Sequence, residues 1–200
     1  MKMITRQMQK EQTRQRILDT AFAEFGRNGI MATRMADIAK AANVSHGTVF
    51  AHFDTQEALI SAVIEEFGEK AALRTHELAG SCAGVREVLA AHLTAITEVE
   101  EFYTRLIIEA RMLPQVSRET FVMIQSAVSL HLSQAAQREM EAGTIAPMPI
   151  SLLFNTWVGL VNYYLTNGDL FAPEGSVLKR YGETLLDHYM RLIQPKQLDV

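Results

Sequence analysis

Residues 43–59, NVSHGTVFAHFDTQEAL, place two hydroxyls three residues apart (Ser45 and Thr48), two imidazoles (His46 and His52) and Gly47 within one short stretch that holds no lysine or arginine. Ser45 is a natural helix N-cap, because its side-chain oxygen can accept an N–H from the turn that follows. The turn it would open reads His-Gly-Thr, so small side chains and free backbone N–H groups lie at its start, where another molecule's backbone can approach closely. The chain offers no nucleophile elbow, phosphate loop or metal-ligand spacing. It also has no Glu three residues before a His, the pair a di-iron helical bundle uses. The expectation is therefore no enzyme, no cofactor and no metal.

The elements that would position these groups are helices. Ile17, Leu18, Ala21, Phe22 and Phe25 share one stripe and predict a helix over 10–28, with Gly29 as its C-terminal stop. Thr33 is expected to cap a short helix over 34–41, and Ser45 a second over about 46–52. Asn43 between them tolerates the left-handed conformation, so a tight turn is expected there. With Ile38, Ala39, Ala42, Val44 and Val49 facing inward, this is the spacing of a helix-turn-helix, whose second helix enters a DNA groove. Asp54 or Thr55 opens a long helix to about Leu78, and AGSCAG at 79–84 breaks the chain. Further helices are expected at about 85–99, 102–113, 117–142 and 150–165, and a last one from Pro173, about nine in all. Residues 1–54 carry eight Lys/Arg against five acids, while the remainder carries eleven against eighteen. Such asymmetry suits one end that meets a polyanion.

The segment TRMADIAKAANVSHGTVFAHFDTQEAL resembles the signature of the TetR family of bacterial transcriptional regulators, closely over about residues 10–60. The resemblance implies that Thr33 caps and also contacts phosphate, that Ser45, His46, Gly47 and Thr48 present the groove-facing start of the recognition helix, and that Val49 and Phe53 are core. Arg34, Phe50, His52 and Gln56 complete the expected DNA-binding set. Three positions depart from the family pattern: Phe50 stands where a tyrosine usually donates to phosphate, His46 where lysine is common, and Gln56 where a lysine often opens the fourth helix. Lys2, Arg6, Lys10, Arg14 and Arg16 are candidates to compensate.

The resemblance further implies an all-α chain with a DNA-binding domain over 1–54, joined by a long helix to a ligand-binding and dimerisation domain over 55–200. His92 and His131 sit on otherwise apolar stripes, and polar groups converging in an apolar surround are what a ligand pocket needs. The expected lining is His92, Ile96, Phe121, Gln125, Val128, His131, Asn155 and Asn162. The expected dimer contacts are Trp157, Gly159, Leu178, Tyr181, Leu185 and Leu192. The expected partners are a double-stranded DNA operator, a second copy of the chain and a small-molecule effector of unknown identity, with no membrane. The longest apolar stretch, ISLLFNTWVGLVNYYL, falls short of the roughly 20 residues a spanning helix needs, and a single cysteine, Cys82, suits a reducing compartment, so a cytoplasmic protein is expected. The function expected is a dimeric, ligand-responsive repressor. The alternative is a ligand-independent regulator whose C-terminal part only dimerises.

Overall fold

A computed structural model describes residues 6–79 and 84–195. Ten helices occur among them: α1 (Arg6–Asn28), α2 (Met35–Ala41), α3 (His46–His52), α4 (Gln56–Ala79), α5 (Val85–Thr97), α6 (Glu100–Glu109), α7 (Gln115–Glu141), α8 (Ile150–Thr166), α9 (Gly168–Phe171) and α10 (Val177–Ile193). The described residues include no strand. The break expected around Cys82 lies, apart from its two end residues, outside them. Two boundaries differ from expectation for local reasons. Pro173 does not start the last helix; Ser176 does, its hydroxyl accepting the Lys179 N–H at 3.0 Å. The segment after Thr166 turns back into the four-residue helix α9, too short to leave an apolar period.

The chain divides into two compact units, residues 1–68 with 101–121, and residues 69–100 with 122–200. α4 and α7 each contribute to both. In the first unit, α1 buries Ile17, Leu18, Ala21 and Phe25, while Leu59, Ile60, Val63 and Ile64 of α4 are also buried. Phe22, Phe67 and Phe102 form an aromatic trio, with Phe22 and Phe102 stacked at 4.3 Å and Phe67 at 5.1 Å from Phe102. Gly26 permits that approach, since a Cβ there would lie 3.2 Å from the Phe102 backbone nitrogen. Gly29, at φ +95°, ends α1 in the left-handed conformation that only glycine adopts without strain.

The second unit is built on α5, α8 and α10. Trp157 of α8 is completely buried, 5.3 Å from the Tyr189 ring. The Tyr189 hydroxyl donates to the Leu153 carbonyl, and burial pushes its pKa up to about 12. The Glu100 carboxylate accepts the N–H groups of Val177 (2.7 Å) and Leu178 (3.2 Å) and the Ser176 hydroxyl. A negative group thus caps the positive end of α10, the arrangement the helix dipole favours.

Candidate functional site

α2 and α3 meet through a turn whose backbone is held at each step. Ala42 N–H donates to Ile38 O (2.8 Å), and Val44 N–H donates to Ala39 O (3.0 Å). Asn43 takes φ +53° between them, as the turn reading required. Ile38 and Val49 are fully buried where the two helices pack, with Ala39 at 4% exposure. Ser45 caps α3: its Oγ accepts the Thr48 N–H at 3.1 Å and lies 2.7 Å from the Thr48 hydroxyl. Ser45, His46, Gly47, Phe50 and Ala51 are exposed, Thr48 and His52 half-buried. A Cβ added at Gly47 would meet nothing nearer than Ser45 Oγ at 3.9 Å, so the space beside it is open.

Other expected contact residues are placed differently. Thr33 does not cap α2; it is 2% exposed and its hydroxyl donates to Gly29 O at 2.6 Å, which withdraws it from any external phosphate. Arg34 occupies the N-cap position, its backbone N–H donating to the Asp37 carboxylate at 3.0 Å, and its side chain is left exposed. Gln56 is turned inward, its amide donating to Thr33 O at 3.1 Å. Phe50 is 40% exposed and meets the His46 ring edge-on at 4.8 Å. His52 faces the first helix. Its pKa lies below the ordinary imidazole range, mainly through burial and then through the charges of Lys10 and Arg14, with Glu11 opposing them. The Arg14 guanidinium also lies 5.2 Å from the Phe53 ring centroid, so this arginine is anchored to the core of the unit.

Sequence reasoning missed the two residues that hold the α1–α2 connection. Glu109 of α6, 7% exposed, accepts the backbone N–H of Ile30 (3.1 Å) and of Met31 (2.7 Å). Arg105, one turn earlier, donates to the carbonyls of Gly26 (3.3 Å) and Arg27 (3.4 Å) at the end of α1. The cation meets the negative end of a helix and the anion meets the orphan N–H groups just beyond it. The available signal was an acid in register with Phe102 and Leu106, since Glu109 falls on the buried stripe of α6.

In the second unit, His92 is buried and accepts the Trp157 indole N–H on Nδ1 at 3.1 Å. Burial lowers its pKa to about 4, so the ring is neutral. Ile96 and Val128 are buried, Gln125, His131 and Asn162 half-buried, and the His131 ring lies 6.1 Å from that of His76. Phe121 belongs to the first unit, where it meets Tyr103 edge-on at 6.1 Å. Asn155 is exposed, in register with Leu152, Gly159 and Tyr163 along the outer face of α8. An open groove of about 520 Å³ between α5 and α10 is lined by Leu93, Thr94, Thr97, Leu178 and Gly182 among others, and by none of the eight residues expected to line a pocket. Of the six expected dimer contacts, Trp157, Leu178 and Leu185 are core residues of the protomer, at most 4% exposed, and so present nothing to a second chain. Gly159 and Leu192 are exposed and Tyr181 half-buried.

An all-helical chain with a capped helix-turn-helix near its N-terminus defines a class of helical DNA-binding regulators. Residues 17–63 match the profile of the bacterial regulatory proteins of the tetR family. This segment, which contains the helix-turn-helix, is of the TetR family type. A protein described as "Probable acrEF/envCD operon repressor" from Escherichia coli (strain K12) is 29% identical over 110 residues, 54% of this chain and 43% of that protein, so the match spans under half of the relative's length. The HTH-type transcriptional regulator UidR of the same organism is 27% identical over 175 residues, covering 70% of this chain and 87% of UidR. Among solved structures, the transcriptional regulator FadR from Bacillus subtilis in complex with stearoyl-CoA shares the fold with a TM-score of 0.71 at 18% identity, covering 90% of this chain and 99% of that one.

Proposed function

We propose that the chain is a DNA-binding transcriptional regulator, a repressor released from a palindromic operator by a small-molecule effector. The observation that carries this reading is the α2–α3 unit itself: a left-handed Asn43 turn, a Ser45 cap, and an outer α3 face of small or flat side chains with open space at Gly47. Such a face fits a major groove. Charge for the phosphates comes from the flanks, where Lys10, Arg34 and Lys40 are exposed. Residues 1–54 read the operator, and residues 55–200 sense the effector and dimerise. The outer face of α8 (Leu152, Asn155, Gly159, Tyr163) with the exposed Leu192 of α10 pairs two copies, so that two α3 helices meet successive major grooves roughly 34–36 Å apart.

The sensing half is supported by the fold shared with FadR, which was solved with stearoyl-CoA. α4 belongs to both compact units and gives an effector a continuous element through which to bias the spacing of the two α3 helices. A regulator of this kind works in the cytoplasm, consistent with the lack of any described helix long and apolar enough to cross a membrane. Selection of duplexes from a random library, followed by titration of the selected site at fixed salt, tests the reading. A palindromic site bound by two copies is expected. Retention of every library sequence with equal affinity would overturn specific recognition.

A further inference from the structure

The outer face of α3 lacks the side chains that make paired hydrogen bonds to one base. Its exposed residues are the cap Ser45, then His46, Gly47, Phe50 and Ala51. Three of these, Gly47, Phe50 and Ala51, have no side-chain donor or acceptor. Ser45 is engaged with the Thr48 N–H and hydroxyl. Paired hydrogen bonds to guanine or adenine come from Arg, Lys, Asn or Gln. α3 contains none of these, and Gln56 beyond it is committed to the Thr33 carbonyl.

Phe50, by contrast, is the one large apolar side chain of α2 and α3 that is exposed, in a unit that buries Ile38 and Val49 completely. The His46 and Phe50 rings meet edge to face, their centroids 4.8 Å apart and their planes at 74°, so His46 packs beside Phe50. Having no hydroxyl, Phe50 cannot donate to a phosphate. What the major groove still offers such a surface is the 5-methyl group of thymine, which phenylalanine and alanine side chains contact.

We propose that Phe50, flanked by Ala51 and packed beside His46, recognises thymine 5-methyl groups in the operator, so that the half-site is read by the placement of methyls. This rests on the DNA-binding reading above. The consequence is a recognition helix whose specificity is apolar and short-ranged, while affinity comes from basic groups outside it. A thymine moved by one base pair carries its methyl group away from the phenyl ring, and no paired hydrogen bond from this helix compensates.

The test uses the full chain and the duplex selected from a random library. Each thymine is replaced in turn by deoxyuridine, which removes only the methyl group, and binding is followed by fluorescence anisotropy at about 150 mM salt. Wild type is expected to bind about four-fold more weakly at one or two positions per half-site, the ~0.8 kcal/mol of one buried CH2-sized group. Phe50→Ala, checked for an unchanged far-ultraviolet spectrum and melting temperature, is expected to bind the thymine and deoxyuridine duplexes equally at those positions. Phe50→Leu, which keeps an apolar contact, is expected to retain part of the difference. Wild-type affinity unchanged at every substituted thymine would overturn the proposal, and so would a four-fold penalty that persists in Phe50→Ala. If no duplex is selected at all, the DNA-binding reading fails at the first step, a result distinct from methyl-insensitive binding.

Discussion

His92 is a neutral imidazole sealed in the second unit, and acid should destabilise that unit through it. Its folded pKa is about 4 against 6.5 for the free side chain. Because the folded pKa is the lower one, the stability it confers is complete above pH 6.5 and is lost as pH falls toward 4, where only the unfolded chain has taken up the proton. Each pKa unit is 1.36 kcal/mol, so the whole effect is about 3 kcal/mol, of which about 2 kcal/mol is gone at pH 5. Trp157, the only tryptophan, donates to His92 Nδ1, so intrinsic fluorescence reports on the unit concerned. Urea titrations of wild type and His92→Asn at pH 7.5 and 5, at one protein concentration, provide the assay. Asparagine keeps an acceptor near the Nδ1 position but does not titrate. The variant should be less stable at pH 7.5, and the gap should narrow by about 2 kcal/mol at pH 5. An identical acid loss in the two proteins would refute the reasoning.

Gly47→Glu should leave the free protein folded, since the nearest atom to a new Cβ is 3.9 Å away, but should weaken operator binding by several kcal/mol through bulk and like charge beside phosphate. Thr48→Ala should cost roughly 1 kcal/mol, because it removes one hydroxyl from the pair with Ser45; anisotropy at matched salt compares the two. Glu109→Ala leaves the N–H groups of Ile30 and Met31 without their acceptor and should destabilise the first unit by roughly 2–4 kcal/mol in chemical denaturation, more than Glu109→Gln. Gly159→Trp projects into open space within the protomer, so sedimentation should show a folded chain with weakened self-association.

Helix positions were legible because apolar residues recur at helical spacing through most of the chain, and Asn43 and Ser45 announced the turn and cap through their own chemistry. Side-chain direction was less legible. Thr33 and Gln56 look like contact residues by position, yet they bond to Gly29 O and to Thr33 O, and which groups lie within reach depends on how α1, α2 and α4 pack. Trp157 shows the same limit, because a helix apolar on most of its circumference does not say which side faces its own core. The apolar stripe of α10 that carries Leu178 and Leu185 was legible, but not whether it faces the protomer's own core or a second chain. Glu109 went unread because its partners are backbone N–H groups 78 and 79 residues away, which carry no mark in the sequence.

The hold of α6 on the end of α1 limits how the chain can be cut and recombined. Truncation near residue 54, the seam at which a reading head would be grafted onto another sensor, removes Phe102 from its stack with Phe22 and strips both the Glu109 and Arg105 contacts from the connection leading to α2. The transplantable piece is discontinuous, residues 1–68 together with 101–121, so a working hybrid has to inherit α6 from the same parent as its reading head. Exchanging the second unit of this protein is therefore a matter of replacing 69–100 and 122–200 as a matched pair, with three splice points, inside α4, at the start of α6 and inside α7, rather than one in a loop.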